Sequence, residues 1–384
     1  MDKLEKSPQL NFQLANAVVG KPYAEKPVLL TLSDKVVVIE AIDVRSEAGL
    51  EFDFQTGQLV GLPLVSGEFD AHISYYCLSQ GKNTALTTVL SRFYINADPR
   101  SLWKNIPSDT QQLYAKADSA SQKIETSTIK MLAASQRGRS HAHKGQARDD
   151  DFFINSGKNW QIAIVADGAG SAKYSRYGSY LISQVIGKFL SKSLSRPYDL
   201  SLTDITVEFI GAIGETICHL EHAAEAQNSS IKDYASTMLA LVCLFDAKQQ
   251  EYVYISFAVG DGVIALYQPT TQQLHLLNQP DTGSYAGETC FLTEEAIVNT
   301  SSLMQVFRSP VFLPYVLMTD GVSDAFFDSD NALKNASVWH ALWQDLTENQ
   351  AFDDEVKLLA WLDFWSTGNH DDRTIILVEP KNYE

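Results

Sequence analysis

Apolar runs that terminate in aspartate constrain this chain more than any other feature. Asp167 closes QIAIVA and precedes Gly168. Asp320 closes YVLMT and precedes Gly321. Asp151 opens FFI after Asp149 and Asp150, and Asp371 and Asp372 immediately precede RTIILV. Four runs with the length and β-branched content of buried strands therefore each carry a carboxylate at one end. One Asp-Gly pair alone is an ordinary turn, and Asp261 in VGDGVIALY reads that way, as a hairpin turn between closely flanking strands. The other four together read differently. Carboxylates that converge at strand ends cannot all stay ionised without a counter-charge, and a divalent cation supplies one. An all-oxygen ligand set without His or Cys favours Mg²⁺ or Mn²⁺ over Zn²⁺. Two such ions about 3.5–4 Å apart can share a bridging carboxylate and a bridging water; that water becomes a hydroxide near neutral pH and can attack phosphorus in line.

The rest of the chain divides by texture. A length of 384 residues suggests two domains. Residues 9 to 97 carry β-rich runs (PVLLTL, KVVVIEAIDV, DAHISYYCL, TTVLSRFYI), several alternating between apolar and polar, and read as a small antiparallel sandwich. The domain limits expected are 1–98 for this sandwich, 99–130 for a polar linker or packed connector, and 131–384 for a mixed domain. In the last, WQIAIVAD, TMLALVCLF, YVYISFAVG, VIALYQP, YVLMTD and RTIILVE read as strands. YGSYLISQVIGKFLSKSL, ITVEFIGAIGETICHLEHAAEA, ALKNASVWHALWQDL and DEVKLLAWLDFW read as helices with one apolar face each. Paired helices and consecutive strands argue for layered α+β rather than a βαβ winding.

Charge and cysteine usage narrow the function. Thirty Lys+Arg against 47 Asp+Glu give a net charge of −17, a surface that repels nucleic acid and anionic membrane. Cys77, Cys218, Cys243 and Cys290 are scattered without a CxxC pair, which speaks against structural zinc and against a disulfide framework. The N-terminus has no apolar signal core, and no stretch approaches 18 apolar residues. A cytoplasmic protein is expected.

Six pieces, in order over residues 135–380, resemble the protein phosphatase 2C (metal-dependent Ser/Thr phosphatase) family in its bacterial branch: RGRSHAHKGQARDDDFFI, AIVADGAGSAKYSRYGS, YASTMLALVCL, FAVGDGVIALY, VLMTDGVSDAF and GNHDDRTIILV. The resemblance implies an αββα sandwich with a binuclear Mg²⁺/Mn²⁺ site at one end of the sheets. By motif, Asp167 would bridge both ions with the Gly168 carbonyl as a further ligand. Asp320 and Asp371 would complete one ion, and Asp151 would be an outer ligand. Asp324, four residues after Asp320, matches a position that helps hold a third ion; it reads equally as a helix N-terminal acid. Asp233 is a weaker match for such a ligand because its spacing to Ser236 and Thr237 fits poorly. The sequence departs from many members in having Ala169 where they have His after Asp-Gly. The basic segment offers Arg137, Arg139, His141, His143, Lys144 and Arg148 as a phosphate clamp. Arg139 is the first choice because a planar guanidinium suits a phosphoryl group; a solvated basic loop is the competing reading. His141-x-His143 alone is a weak signal for a transition metal, and His219 with His222 reads as a surface pair rather than a metal site.

The stretch LEFDFQTGQLVGLPLVSGEFDAHISYY resembles an immunoglobulin-like (cadherin-like) repeat in its Gly and Pro pattern. The function expected is hydrolysis of phosphoserine and phosphothreonine on a protein, with two or three Mg²⁺ or Mn²⁺ ions and a cognate Ser/Thr kinase as partner. The competing reading is a catalytically weak phosphatase-like scaffold acting through the N-terminal β domain. Residues 280–310 are expected to form a variable flap beside the site.

Overall fold

The structure is a computed structural model and describes residues 10–30, 36–78, 86–196, 201–279 and 289–381. The chain forms two compact units, residues 1–104 and 105–384.

The first unit is built from alternation. In Thr87–Asn96, Val89, Ser91, Phe93 and Ile95 are buried while the residues between them face outward. One face of each strand is therefore in the core and the other wet. This strand lies in a four-stranded sheet between Ala17–Val18 and Gly67–Cys77, with Val37–Val44 at the far edge. A three-stranded sheet (Tyr23–Glu25, Gln58–Gly61, Leu50–Asp53) and the Phe12–Gln13/Val28–Leu29 pair share one core with it: Leu14, Ile42, Leu59, Phe69, Ile73 and Phe93. The expected antiparallel order has one exception, since Ala17–Val18 runs parallel to Ile95–Asn96.

The second unit has continuous apolar strands because both faces of its sheets are covered. Its strands are β1 (Ser119–Glu125), β2 (Ile129–Gln136), β3 (Asp151–Ser156), β4 (Trp160–Ala166), β5 (Met238–Asp246), β6 (Glu251–Val259), β7 (Val263–Gln268), β8 (Gln273–Leu276), β9 (Met304–Ser309), β10 (Tyr315–Met318) and β11 (Arg373–Pro380). One antiparallel sheet has the order β1-β2-β11-β10-β7-β8, the other β3-β4-β5-β6-β9. The sheets pack on each other through Met131, Ala133, Phe152, Ala163, Val165, Leu239, Leu241, Ile264, Leu317 and Ile376. The alternate residues of the same strands face helices. After a short helix, α1 (Arg139–Lys144), come α2 (Ser175–Leu194) and α3 (Leu202–Ala226), whose Ile182, Ile186, Phe209 and Ile213 meet Ile162 and Ile164. Leu132, Val316 and Leu377 meet Trp339, Leu342, Leu346 and Leu358 on the other side. The result is the expected αββα sandwich.

Local signals set the helix limits. Ser201 and Asp204 form a reciprocal capping box that starts α3. Asn335 caps Ser337 N–H, so the helix expected over 332–346 divides into Asp330–Leu333 and Ala336–Glu348. The largest difference lies in residues 99–130. Within this expected connector, SASQKIE is edge strand β1, paired with β2 from Ser119↔Gln136 to Glu125↔Lys130. An edge strand needs only a half-apolar face, so its polarity hid it. Among the described residues no helix is long and apolar enough to cross a membrane.

Trp339 is fully buried and donates its indole N–H to Leu333 O at 2.7 Å. Trp339→Ala should cost about 3–5 kcal/mol, read from urea unfolding, because the outer helix layer cannot close over the gap. A cost below about 1 kcal/mol would mean that this layer is not part of the cooperative core.

Candidate active site

Strand register brings five aspartates to one end of the sandwich. Asp151 pairs with Ala166, which puts Asp150 and Asp167 side by side at the mouth of the β3–β4 hairpin. Val263 pairs with Met318 and Met318 with Ile375, which brings Asp261, Asp320 and Asp371 to the same end of the other sheet. Asp261 lies in the short connection from β6 to β7, where the chain passes from one sheet to the other. Carboxylate oxygens of Asp167, Asp261 and Asp320 lie within 4.8 Å of one another. Asp320 also opens α4 (Asp320–Phe326), and Asp324 follows one turn later.

The electrostatics are those of crowded acids. Burial raises the pKa values of Asp150, Asp167 and Asp320, and neighbouring carboxylates raise them further. Asp150 is the first of the carboxylates that raise Asp167. Asp324 is raised by burial and by Asp261. Asp371 is exposed as a residue, yet burial of its carboxyl raises its pKa and Asp372 raises it further. Asp150 Oδ2 accepts from Thr319 Oγ1 (2.9 Å) and Thr374 Oγ1 (2.7 Å). Asp150 Oδ1 and Asp261 Oδ1 are buried with no donor against them. Orphaned acceptor atoms in an all-carboxylate cluster are what a hard divalent cation would satisfy.

The acid triplet divides three ways, and this corrects one expectation. Asp150, not Asp151, faces the cluster. Asp151 points to Lys116, whose Nζ lies 3.1 Å from Asp151 Oδ2. Successive residues entering a strand face opposite sides, so an offset of one changes the partner completely. Burial pushes the Lys116 ammonium down to about 8, against the pull of Asp151. Asp149 turns to Arg176 Nε (3.2 Å), Ser175 Oγ (3.0 Å) and His141 Nε2 (3.6 Å).

Asp372 is the counterpart brace. It accepts from the N–H groups of Gly138 (2.6 Å) and Asp149 (2.5 Å) and meets His141 Nδ1 at 3.0 Å. Burial alone would raise its pKa, but His141 and these donors hold it below the usual carboxylate range. Burial would likewise lower His141, yet Asp372, Asp149 and Asp371 push it up to about 9, so it is a cation at neutral pH.

Glycines 168 and 321 follow aspartate for reasons of space, not turn geometry. Neither has a positive φ. A Cβ on Gly168 would lie 2.8 Å from Asp149 O, and one on Gly321 would lie 1.8 Å from Asp372 O. Gly168 pairs with Ser236 in a bridge whose flanking bonds are Ala169 N to Ala235 O and Thr237 N to Asp167 O. In such a pair the glycine carbonyl is not taken by the ladder.

Arg139 is the second correction. Its guanidinium donates to Phe364 O (3.0 Å), Asp363 O (2.9 Å) and Asp363 Oδ1 (2.9 Å), and lies over the Trp365 ring. It is bound to the 363–365 loop rather than aimed at the cluster. Arg137 is held by Asn105 and Asp118, and Arg148 donates to Asp150 O. Asp233 caps a short turn, accepting from Ser230 N–H. His219 and His222 are exposed on α3. Asp261 is the residue that sequence reasoning placed in a hairpin turn and the structure places in the cluster. Of the expected flap, residues 280–288 lie outside the described residues; Thr289 donates to Asp261 Oδ2 at 2.6 Å, which brings the following segment to the site.

Comparison with known proteins shows the family. The family described as protein phosphatase 2C matches residues 137–363, more than half of the chain. A comparison with curated proteins gives no match. Among solved structures, the chain is similar to RsbX in complex with magnesium (16% identity, 68% of this chain and 100% of that chain, TM-score 0.39). It is also similar to the serine/threonine phosphatase Stp1 from Staphylococcus aureus (12% identity, 72% and 100%, TM-score 0.41). A third likeness is to serine-threonine phosphatase 2C from Toxoplasma gondii (13% identity, 68% and 99%, TM-score 0.44). The family match, not these likenesses, carries the assignment.

The crowded acids predict an inverted pH dependence for metal-free protein. A carboxyl whose folded pKa is raised adds stability while protonated and loses it as pH rises from its ordinary value near 4 to its folded value, about 7 for Asp150. In EDTA, Tm should fall between pH 5 and pH 8 by on the order of 5 °C, and Mn²⁺ at pH 8 should restore it. Asp167→Asn should flatten this fall; an equally steep fall in that variant would place the destabilising repulsion elsewhere.

Proposed function

Because the chain belongs to the protein phosphatase 2C family of metal-dependent protein serine/threonine phosphatases, we propose that it hydrolyses phosphoserine and phosphothreonine monoesters on a protein at the carboxylate cluster, with two Mg²⁺ or Mn²⁺ ions. The observation that supports this most directly is the convergence of Asp150, Asp167, Asp320 and Asp371 from both sheets on one strand end, with buried acceptor atoms left unsatisfied. Asp167 would bridge the two ions, with the Gly168 carbonyl beside it. Asp320 and Asp371 would complete one ion. Asp150 takes the place expected of Asp151. Asp261 and Asp324, both charge neighbours of Asp320, are the residues suited to a third ion. When bound, the ions would supply an activated water and the positive charge that neutralises a phosphoryl group.

The chain's own residues do the positioning. Thr319 and Thr374 fix one oxygen of Asp150, which leaves the other free for a ligand. His141 brings a positive charge to the Asp371 side of the cleft: its ring nitrogen and oxygens of Asp371 and Asp372 lie within 4.8 Å of one another. With Ala169 after Asp167-Gly168, that position contributes no titratable side chain to protonate a leaving group. The N-terminal unit, which we read as immunoglobulin-like, would recruit the phosphoprotein or its kinase, in the manner of a bacterial cytoplasmic signalling protein.

Hydrolysis of para-nitrophenyl phosphate and of a phosphothreonine peptide, with and without Mn²⁺, tests the reading. Asp167→Asn and Asp150→Asn should each lower kcat by about 100-fold or more, a loss of a few kcal/mol of transition-state stabilisation. Asp151→Asn and Arg139→Ala should stay within about threefold of wild type. Metal-independent turnover, or folded wild type that is inert on both substrates with Mn²⁺ and with Mg²⁺, would overturn it in favour of a phosphatase-like scaffold.

A further inference from the structure

Residues 105–118 precede the first strand of the sandwich and form no helix or strand of their own, yet they are tied down at every few residues. Ile106 N donates to Ala142 O at 2.9 Å, and Gln112 Oε1 accepts from Arg176 Nη1 at 3.3 Å. The Tyr114 ring stacks on Tyr177 at 3.9 Å, nearly parallel, and its edge meets Tyr174 and Tyr234. Asp118 O accepts from Arg137 N at 2.8 Å. This strap delivers one charged group to the interior. Lys116 Nζ lies 2.6 Å from Asp150 O, 3.1 Å from Asp151 Oδ2, 3.3 Å from Arg176 O, 3.4 Å from Ser179 Oγ and 3.5 Å from Asp149 O.

An ammonium is a compact charge with three donors. Here they join the strap, the acid triplet and the start of α2. The shortest contact is to the carbonyl of Asp150, which Arg148 Nη1 also holds at 2.8 Å. Two cations thus fix the peptide plane of the residue whose side chain faces the cluster. Fixing that plane fixes the direction in which the Asp150 carboxylate leaves the backbone. A filler would need no such aim; an apolar side chain would occupy the space without the desolvation cost of a charge.

We propose that Lys116 is a positioning residue for the metal site, holding Asp150 in register with Asp167, and that the strap is part of the site's construction. This inference rests on the metal reading above. Groups behind metal ligands change affinity by about 10–100-fold when removed, so the test reads metal binding rather than turnover alone. Mn²⁺ would be titrated calorimetrically into EDTA-stripped wild type, Lys116→Met, and Lys116→Met/Asp151→Asn, the last removing the carboxylate that the first leaves unpaired. Tyr114→Leu would loosen the strap from a distance. Each Lys116 variant should bind Mn²⁺ about 10-fold more weakly while circular dichroism reports a folded protein. Turnover should recover to within a few-fold at saturating Mn²⁺. Wild-type affinity in a folded Lys116 variant, whatever its Tm, would show a structural filler and overturn the inference. Should neither Lys116 variant fold, unchanged affinity in Tyr114→Leu would overturn it and a weakening there would support it. Wild type that takes up no Mn²⁺ would sink the metal reading itself, a failure distinct from the others.

Discussion

Repulsion among Asp150, Asp167, Asp261, Asp320 and Asp371 is the constraint on which the rest of the second unit depends. Two unit charges 4.8 Å apart repel by about 3 kcal/mol at an effective dielectric of 20. Several such pairs would consume much of the 5–15 kcal/mol that typically separates folded from unfolded protein. The crowding is tolerable only on a frame that cannot relax, and the sandwich is one. Its three apolar layers cover both faces of each sheet, and every cluster residue leaves from a strand end whose register is fixed by neighbours on at least one side. Protons relieve the repulsion at low pH. Above neutrality a bound cation would do so, which would make ligand affinity and fold stability two readings of the same charges.

That frame was legible because continuous apolar runs mean strands covered on both faces, whereas TTVLSRFYIN alternates and faces water on one side. Six such runs and four helical stretches were readable from periodicity alone. What periodicity missed were mostly edges, together with the interior strand β2, whose IKMLAASQ is diluted by Ala and Ser. SASQKIE and QLHL carry too little apolar content to announce a strand, and each lies at the rim of its sheet. The site was legible in outline, since aspartates at strand ends mark where the strands end together. Its details were not. Asp261 was hidden because a hairpin-like spacing is the same whether the two strands pair with each other or, as here, belong to different sheets. Arg139 misled because a guanidinium suits a phosphate and a backbone carbonyl equally well, and the 363–365 loop lies more than 200 residues away in sequence. Lys116 gave no signal at all: nothing in LYAKADS distinguishes a surface lysine from a buried one.

Adjacent carboxylates with opposite roles are the recurrent device of this site. Asp150 and Asp151 part company at the start of a strand, one toward the cluster and one toward Lys116. Asp371 and Asp372 do the same. Asp371 sits at the open rim with its pKa raised, whereas Asp372 is sealed inside, held ionised by His141 and two backbone N–H groups. An environment that pushes two neighbouring acids apart assigns their work: the one with unsatisfied oxygens can take a ligand, and the one already satisfied is a brace. The brace matters because Asp372 ties Gly138 and Asp149 to the last strand, and so ties the loop before the acid triplet to the sheet that carries Asp320 and Asp371.

The glycines complete that logic. In a turn, glycine after aspartate is chosen for its backbone freedom, and another residue with a tolerant φ can replace it. At Gly168 and Gly321 the backbone angles are ones any residue adopts, and the constraint is instead the carbonyl of a brace residue pressed against the Cα. Asp167-Gly168 leans on Asp149, and Asp320-Gly321 leans on Asp372. Each Asp-Gly pair is thus held by direct backbone contact with a braced acid, so any side chain larger than hydrogen would lift Asp167 or Asp320 away from its neighbours. The Asp-Gly pairs that look like turns are close-packing joints, and this is why the bulky apolar sandwich can end in five aspartates placed within reach of one another.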